Sequence, residues 1–508
     1  MKAETTTCLS YHSETSYTRG QLGGHPLDWA NQPDVFKSYP EDAPLSLPHE
    51  VRLPDVRLSS LLREKGGHAE PGAMDLNRLS AILRLSYSLT AKARQGGGTF
   101  YFRNVASAGA LYPNELYVAA TGVTGLNDGL YHYSIARHGL SLVRKGDVSN
   151  PVAASTKDSG PALSRVSFFV SAIFFRSAWK YRARSYRYHL LDAGHLLENL
   201  ILALNVHGID PQVSLDFEDD GVNRLLGLDE KREVCLAICT APDSKGGHPE
   251  PRADLPELED AVKSASRVSP REIDYPEVLG IHRAGVTVPS HRDAGPRMIE
   301  ALGPVAGEWL GIDSPDQWPE TMSYKEAVLT RRSRRNYVKR PISKDALSAL
   351  LEGLCAGHPT DQHKDPSPWV STGFLMGRAE GYDPGAYLLD PESRSMAWIT
   401  SGSLMEEMAR ICLDQMWLAN AAVHFVFMSN LAVVDRLLGA RGYRYAMMEA
   451  GRWGERLYLM ASALGLGCCG IGAFYDTEAA RLLGLNDESR LLYLVAVGPV
   501  KGMTPQIS

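Results

Sequence analysis

At 508 residues, 44% of them hydrophobic and 22% charged, the chain has the composition and length of two or three ordinary globular domains. A formal net charge of −6 argues against a nucleic-acid or anionic-membrane footprint. With no apolar h-region at the start and no run near 18 apolar residues, neither a signal peptide nor a membrane span is expected, and a cytoplasmic address follows. The seven cysteines contain no CxxC pair, which fits reduced, mostly buried thiols and excludes a disulfide framework or a zinc knuckle.

In chain order, residues 1–50 are polar and proline-punctuated and read as an extended arm. Residues 51–245 form a first domain. It holds a helix from Leu76 to about Leu85, a Gly/Ser/Ala/Pro loop in FYFRNVASAGALYPNELY, a hairpin in GLYHYSIARHGLSLV and a strand in SRVSFFVSAIFF. The triple glycine after Gln95 lacks the lysine and hydroxyl of a phosphate-binding P-loop and reads as a loop. Residues 246–320, rich in proline and charge, read as a linker with short helices near Leu258 and Met298. The second domain, 321–508, opens with a helix, a basic run and a helix capped by Ser343, and continues with a hairpin in GAYLLDPESRSMAWI and a strand in AAVHFVFMS. Mixed helices and strands in both halves make the class α+β.

The two domains are copies. Tyr186–Glu230 and Tyr443–Asp487 align without a gap at a constant offset of 257, with sixteen identities over 45 positions, among them Arg187/Arg444, Gly194/Gly451 and Glu198/Glu455. One repeat at this spacing means two whole domains of one fold. Each copy opens with a long, nearly all-apolar helix suited to a core or an interface, and closes on an apolar run that reads as a buried strand, VCLAIC or LLYLVAV. Arg187 and Arg444 occur in both copies, which favours a structural role. Asp192, His195 and Asn199 share one helix face, and without a further ligand motif they read as a hydrogen-bonded stripe and not as a metal site. GLGCCG follows a helix and is not a Rossmann fingerprint.

The run RRSRRNY (Arg331–Tyr337) joins guanidinium forks to hydroxyls, a set suited to a phosphate and to the polar oxygens of a planar ring. It resembles the RRSxRxF signature of nitroreductase-fold flavoproteins. The first half, through YHSETS, LDWANQPDVFKSYP, ASAGALYPNELY, GLYHYS, WKYRARSYRY and LLDAGHLLENLILA, resembles the SagB/ThcOx-type branch, the azoline dehydrogenases of peptide natural-product pathways. The resemblance implies an α+β sheet sandwiched by helices, with FMN held between two protomers. It assigns Arg331, Arg332, Ser333 and Arg335 to FMN, with Ser107, Ala108 and Gly109 from the partner domain, Gly470, Ile471 and Gly472 along the flavin edge, and Lys501 toward the phosphate. It further implies that Lys180 and Tyr181 act as base or proton relay.

The differences between the copies fix the expected architecture. The first half has LREKGGHAE (62–70) in place of RRSxR, the second has DPSPWVSTGF near Asp365 in place of SAGALYP, and Leu437 and Leu438 replace Lys180 and Tyr181. Each half keeps what the other lost. The expectation is a monomer folded as an intrachain pseudo-dimer with one FMN, oxidising an azoline-type small or peptidic substrate by hydride transfer to flavin N5, with dioxygen reoxidising the flavin. Alternatives are an NAD(P)H-dependent nitroreductase or quinone reductase and a flavin-binding scaffold without turnover.

Overall fold

The computed structural model describes residues 6–24, 26–39, 43–63, 73–95, 98–156, 164–242, 256–287, 295–357 and 369–502. Each half is built on one antiparallel sheet of seven strands, and the two sheets have the same order. In the first half the order is β1-β6-β5-β4-β7-β9-β8, where β1 is Leu45–Ser46, β4 Asn114–Ala120, β5 Gly129–Ser134, β6 Gly139–Lys145, β7 Ser164–Ile173, β8 Gln212–Ser214 and β9 Glu233–Pro242. In the second it is β10-β13-β12-β11-β14-β16-β15, with β10 Trp309–Gly311, β11 Ser371–Met376, β12 Gly385–Asp390, β13 Ser395–Ser401, β14 Val423–Asn430, β15 Gly467–Ile471 and β16 Ser489–Gly498. The expected hairpins are β5/β6 and β12/β13. A separate two-stranded hairpin, β2 (Leu89–Gln95) and β3 (Gly98–Arg103), was not anticipated; residues 96 and 97 of the triple glycine lie outside the described residues. Thr90, Phe100 and Phe102 carry the β propensity that the glycine run obscured.

The repeat marks the centre of the molecule. Its two helices, Ser185–Val206 and Gly442–Ala463, are buried along almost their whole length and cross where the repeat keeps a glycine. A Cβ on Gly194 would lie 2.1 Å from the Met448 carbonyl oxygen, and one on Gly451 would lie 2.2 Å from that of Leu191, so only glycine lets the two backbones touch. The repeat's arginines close the two halves on each other in pseudo-symmetric pairs. Arg184 and Arg187 bind Asp476, with shortest contacts of 2.8 and 2.6 Å, and Arg441 and Arg444 bind Asp219 at 2.5 and 2.7 Å. All six side chains are buried, so removing one partner strands a charge in the interior. The structural reading of Arg187 and Arg444 therefore holds.

The duplication reaches further than the aligned segment. The arm begins with a helix, Cys8–Glu14, whose buried His12 contacts the Tyr443 hydroxyl through Nδ1 at 3.0 Å. The linker contains an equivalent helix, Pro276–Ala284, whose buried His282 contacts the Tyr186 hydroxyl through Nδ1 at 3.1 Å. LSYH and LGIH are all that remains of this similarity in sequence. Similarly β1 edges the first sheet and β10 the second. The described part of the linker is thus a second arm packed onto the core, with the expected short helices at Asp260–Ser264 and Met298–Ala301.

Candidate active site

The site is assembled from a strained loop. After β3 the chain turns through Asn104–Tyr112, where Gly109, Ala110 and Tyr112 have φ of +66°, +54° and +48°. Left-handed backbone at two non-glycine residues is costly and persists only where the surroundings enforce it. Asp192, on the first core helix, does the enforcing. Its carboxylate accepts from Ser107 Oγ at 2.6 Å and from the Ala108 amide at 3.2 Å, while Ser107 Oγ accepts from the Tyr112 amide at 2.9 Å. Burial raises the Asp192 carboxyl to about 7, against these two hydrogen bonds, which lower it.

Lys180 and Tyr181 end the helix Phe174–Tyr181 and converge on the same loop. A side chain at Gly109 would begin 2.7 Å from the Tyr181 hydroxyl and 3.2 Å from Lys180 Nζ. Burial lowers the Lys180 pKa, and the nearby Arg335 guanidinium lowers it further. Burial raises that of Tyr181, with Tyr188 and Asp192 adding to it; the two tyrosine rings lie 4.4 Å apart. The ammonium is thereby made easier to deprotonate and the phenol harder.

The basic run crosses from the other half. Arg331 is buried and donates through Nε to the Asn104 carbonyl at 2.8 Å and through Nη2 to those of Arg103 and Val105 at 3.0 and 3.1 Å, while its Nη1 has no hydrogen-bond partner. Arg332 donates to Thr90 O of β2 at 3.1 Å. Ser333 Oγ meets the Tyr458 hydroxyl at 2.8 Å, and the Gly470 amide donates to the same hydroxyl at 2.7 Å, which ties the basic run to β15. Arg335 is exposed, its guanidinium 6.0 Å from the Trp417 ring. Ile471 is buried, and the Gly472 carbonyl accepts from Arg184 at 3.0 Å and Tyr188 at 3.2 Å. Lys501 is exposed, and its backbone pairs with Asn336, beside the basic run.

The structure thus gathers Ser107–Gly109, Lys180, Tyr181, Arg331–Arg335, Gly470–Gly472 and Lys501 around one junction of the two halves. Three features suit the flavin mononucleotide that the resemblance implies. A buried guanidinium has an unsatisfied N–H, exposed cations rim the junction, and glycines on two sides leave backbone where a Cβ would intrude. A cavity of about 440 Å³ elsewhere, beside Arg297, Cys355 and Trp453, is lined by none of these residues.

Among the described residues, the pseudo-equivalent junction lacks the lysine, the tyrosine and the glycines. Val213, Ser214 and Leu215 stand where Gly470, Ile471 and Gly472 would be. Leu437 replaces Lys180 and packs against Gly295, at which a Cβ would lie 2.5 Å from it. Of the other two replaced stretches, 62–70 lies outside the described residues except for 62 and 63, and 365–374 is described from Trp369, where it leads into β11. Tyr458, Tyr493 and Tyr188 escaped the sequence reading. The first two were detectable as departures of one copy from the other, Tyr458 against Ile201 and Tyr493 against Ala237, which face Phe427 and Val170 in matching registers. Among the described residues no group of three or more His, Cys, Asp or Glu could hold a metal. Asp192, His195 and Asn199 each make a side-chain hydrogen bond, while Asn199 Oδ1 has no partner.

A duplicated α+β chain with one composite junction of arginines, glycines and a lysine–tyrosine pair is the class that fold and site define. Comparison with known proteins makes this specific. The nitroreductase family model matches residues 70–241 and again 328–499, so the chain belongs to the nitroreductase family and carries its domain twice. It is similar to the nitroreductase-family protein MJ1384 of Methanocaldococcus jannaschii, 31% identical over 37% of this chain and 96% of that one. It is also similar to the trifolitoxin-processing protein TfxB of Rhizobium leguminosarum bv. trifolii, 24% identical over 43% of this chain and 61% of that one. The microcin B17-processing protein McbC of Escherichia coli is 25% identical over 26% of this chain and 51% of its own length. A nitroreductase-type crystal structure from Anabaena variabilis ATCC 29413 superposes on 98% of this chain and all of its own, with TM-score 0.76 and 27% identity. Family membership makes the chain an oxidoreductase by kinship, and no helix among the described residues is long and apolar enough to cross a membrane.

Proposed function

We propose that the chain is an FMN-dependent dehydrogenase of the SagB/ThcOx type, with one flavin per chain, acting on an azoline-type ring in a small or peptidic substrate. The observation that carries this reading is the convergence of Lys180 Nζ and the Tyr181 hydroxyl on Gly109, on the side that has RRSRR and GIG, with leucines at both positions on the other side. The similarity to two toxin-processing proteins supports the substrate class.

Arg331, through its free N–H, Ser333, Arg335 and Lys501 would hold the polar end of FMN, and Gly109, Gly470 and Gly472 would admit the ring; Arg332 braces β2 behind them. Bound FMN would supply a two-electron acceptor whose N5 takes hydride from the substrate. Lys180 takes the proton from the neighbouring ring carbon, because its amine is the group whose pKa is lowered. Tyr181 stays protonated and orients that amine or the substrate by donating a hydrogen bond. Asp192 holds the loop on which both act.

The test is released-flavin quantitation on the purified chain, followed by turnover of a thiazoline or oxazoline peptide in air. One FMN per chain with azole formation is expected. Two per chain would break the single-site reading, and fast flavin reduction by NADPH without azole formation would replace the dehydrogenase with a nitroreductase. FMN bound without any turnover would leave a scaffold.

A further inference from the structure

Beneath β15 runs a buried polar chain that the roles above do not use. Glu455 Oε2 lies 2.5 Å from His195 Nδ1, and His195 Nε2 lies 3.1 Å from the Tyr493 hydroxyl. The three side chains are 0%, 1% and 6% exposed. An ionised carboxylate only accepts, so Nδ1 donates to Glu455; with the imidazole neutral, Nε2 is then left to accept from the tyrosine hydroxyl. It ends against the site, because a Cβ on Gly470 would stand 1.8 Å from the Tyr493 hydroxyl. Gly454 opens the space in between, since a Cβ there would lie 2.5 Å from the Tyr493 ring and 3.0 Å from His195 Nε2.

The opposite side of the pseudo-dimer gives the contrast. There Glu198 faces Arg452 at 3.2 Å and Arg456 at 2.7 Å, an ion-pair cluster in place of a carboxylate–imidazole–phenol chain. Ala237 replaces Tyr493, Leu197 replaces Gly454 and Val213 replaces Gly470. Five differences, His195 against Arg452 and Asn199 against Arg456 included, therefore separate the sides. Glu455 Oε2 is bonded to the imidazole while its Oε1 has no hydrogen-bond partner, so the hold on the carboxylate comes through the His195 contact.

We propose that Glu455, His195 and Tyr493 form a positioning relay that sets Gly470–Gly472 against the flavin; the proposal rests on the FMN reading above. The carboxylate fixes the imidazole tautomer, the imidazole fixes the phenol, and the phenol defines how closely the flavin approaches β15. These are positioning residues, because none of them is placed against substrate.

The experiment uses the full chain and two conservative variants, Tyr493→Phe and His195→Gln, with their double. Three quantities are read: FMN Kd by flavin fluorescence, the position of the visible band of bound flavin, and Tm of the FMN-free protein. Each single variant is expected to raise Kd roughly 10-fold and to move the band, as expected for a buried hydrogen bond. The double should equal the singles, because parts acting as a unit are non-additive. Unchanged Kd and band, whether or not Tm falls, would reduce the chain to a structural network and overturn the proposal while the FMN reading stands. Wild-type protein that binds no FMN on reconstitution would overturn both.

Discussion

The two junctions between the halves are made from the same repeat, and the lysine, tyrosine and glycines of one are replaced by apolar residues at the other. On the first, Lys180 and Tyr181 of one half meet Gly470, Gly472 and the Arg331–Arg335 run of the other; on the second, Leu437, Leu438, Val213 and Leu215 occupy the equivalent positions. The buried clamps Arg184/Arg187–Asp476 and Arg441/Arg444–Asp219 remain on both.

The comparison is tested hardest at the lysine–tyrosine pair. Lys180→Met and Tyr181→Phe are expected to lower turnover by roughly 10²- to 10⁴-fold, the usual range for a positioned proton-transfer group, with FMN content unchanged. Leu437→Met, at the equivalent position, is expected to leave both untouched. Steady-state rates beside the flavin absorbance decide this; an effect of equal size at Leu437 would mean that the second junction is also active.

A smaller effect separates the two clamps. Asp476→Asn and Asp219→Asn each leave two buried guanidiniums underpaired and are expected to destabilise the fold by about 3–5 kcal/mol, read from denaturant midpoints. Burial alone would raise the Asp476 pKa, but Arg184 and Arg187 outweigh it and hold the carboxyl well below its ordinary value. Only Asp476→Asn should also weaken FMN, because Arg184 donates to the Gly472 carbonyl as well. Equal loss of FMN affinity in both variants would break the assignment of one working side.

How much of this was legible in the sequence follows from the kind of force involved. The duplication and the long buried strands were readable because apolar burial leaves direct residue signatures, whereas Gly194 and Gly451 showed only as identities and their close backbone contact did not. Lys180 and Tyr181 stood out because one copy departed from the other. Arg331 was legible as a cation, but its three bonds to the Arg103–Val105 carbonyls were not, since backbone acceptors have no letter in a sequence. The second arm was hidden for a similar reason. Its fold-determining content is a short helix with His282, Ile281 and Val278 buried, too few residues to show a period among prolines and charges.

The two arms offer the finest comparison, because His12 and His282 are equivalent yet face different junctions. Both are buried, and each has its pKa lowered to about 3, by burial first and then by Arg187 beside His12 and Arg444 beside His282. In the unfolded chain each titrates near 6.5, so below that pH the unfolded state binds the extra protons. The stability that comes from keeping these imidazoles neutral is therefore complete above about pH 6.5 and is lost as pH falls toward 3. Between pH 6.5 and 4 the Tm of the FMN-free protein should drop, and His12→Gln and His282→Gln should each flatten that slope by a similar amount. Loaded with FMN, only His12→Gln should change the pH dependence of flavin release, since His12 shares Arg187 and Asp476 with the Gly472 side. Equal effects of both variants on release would show that the arms sense the whole fold and not their own junctions.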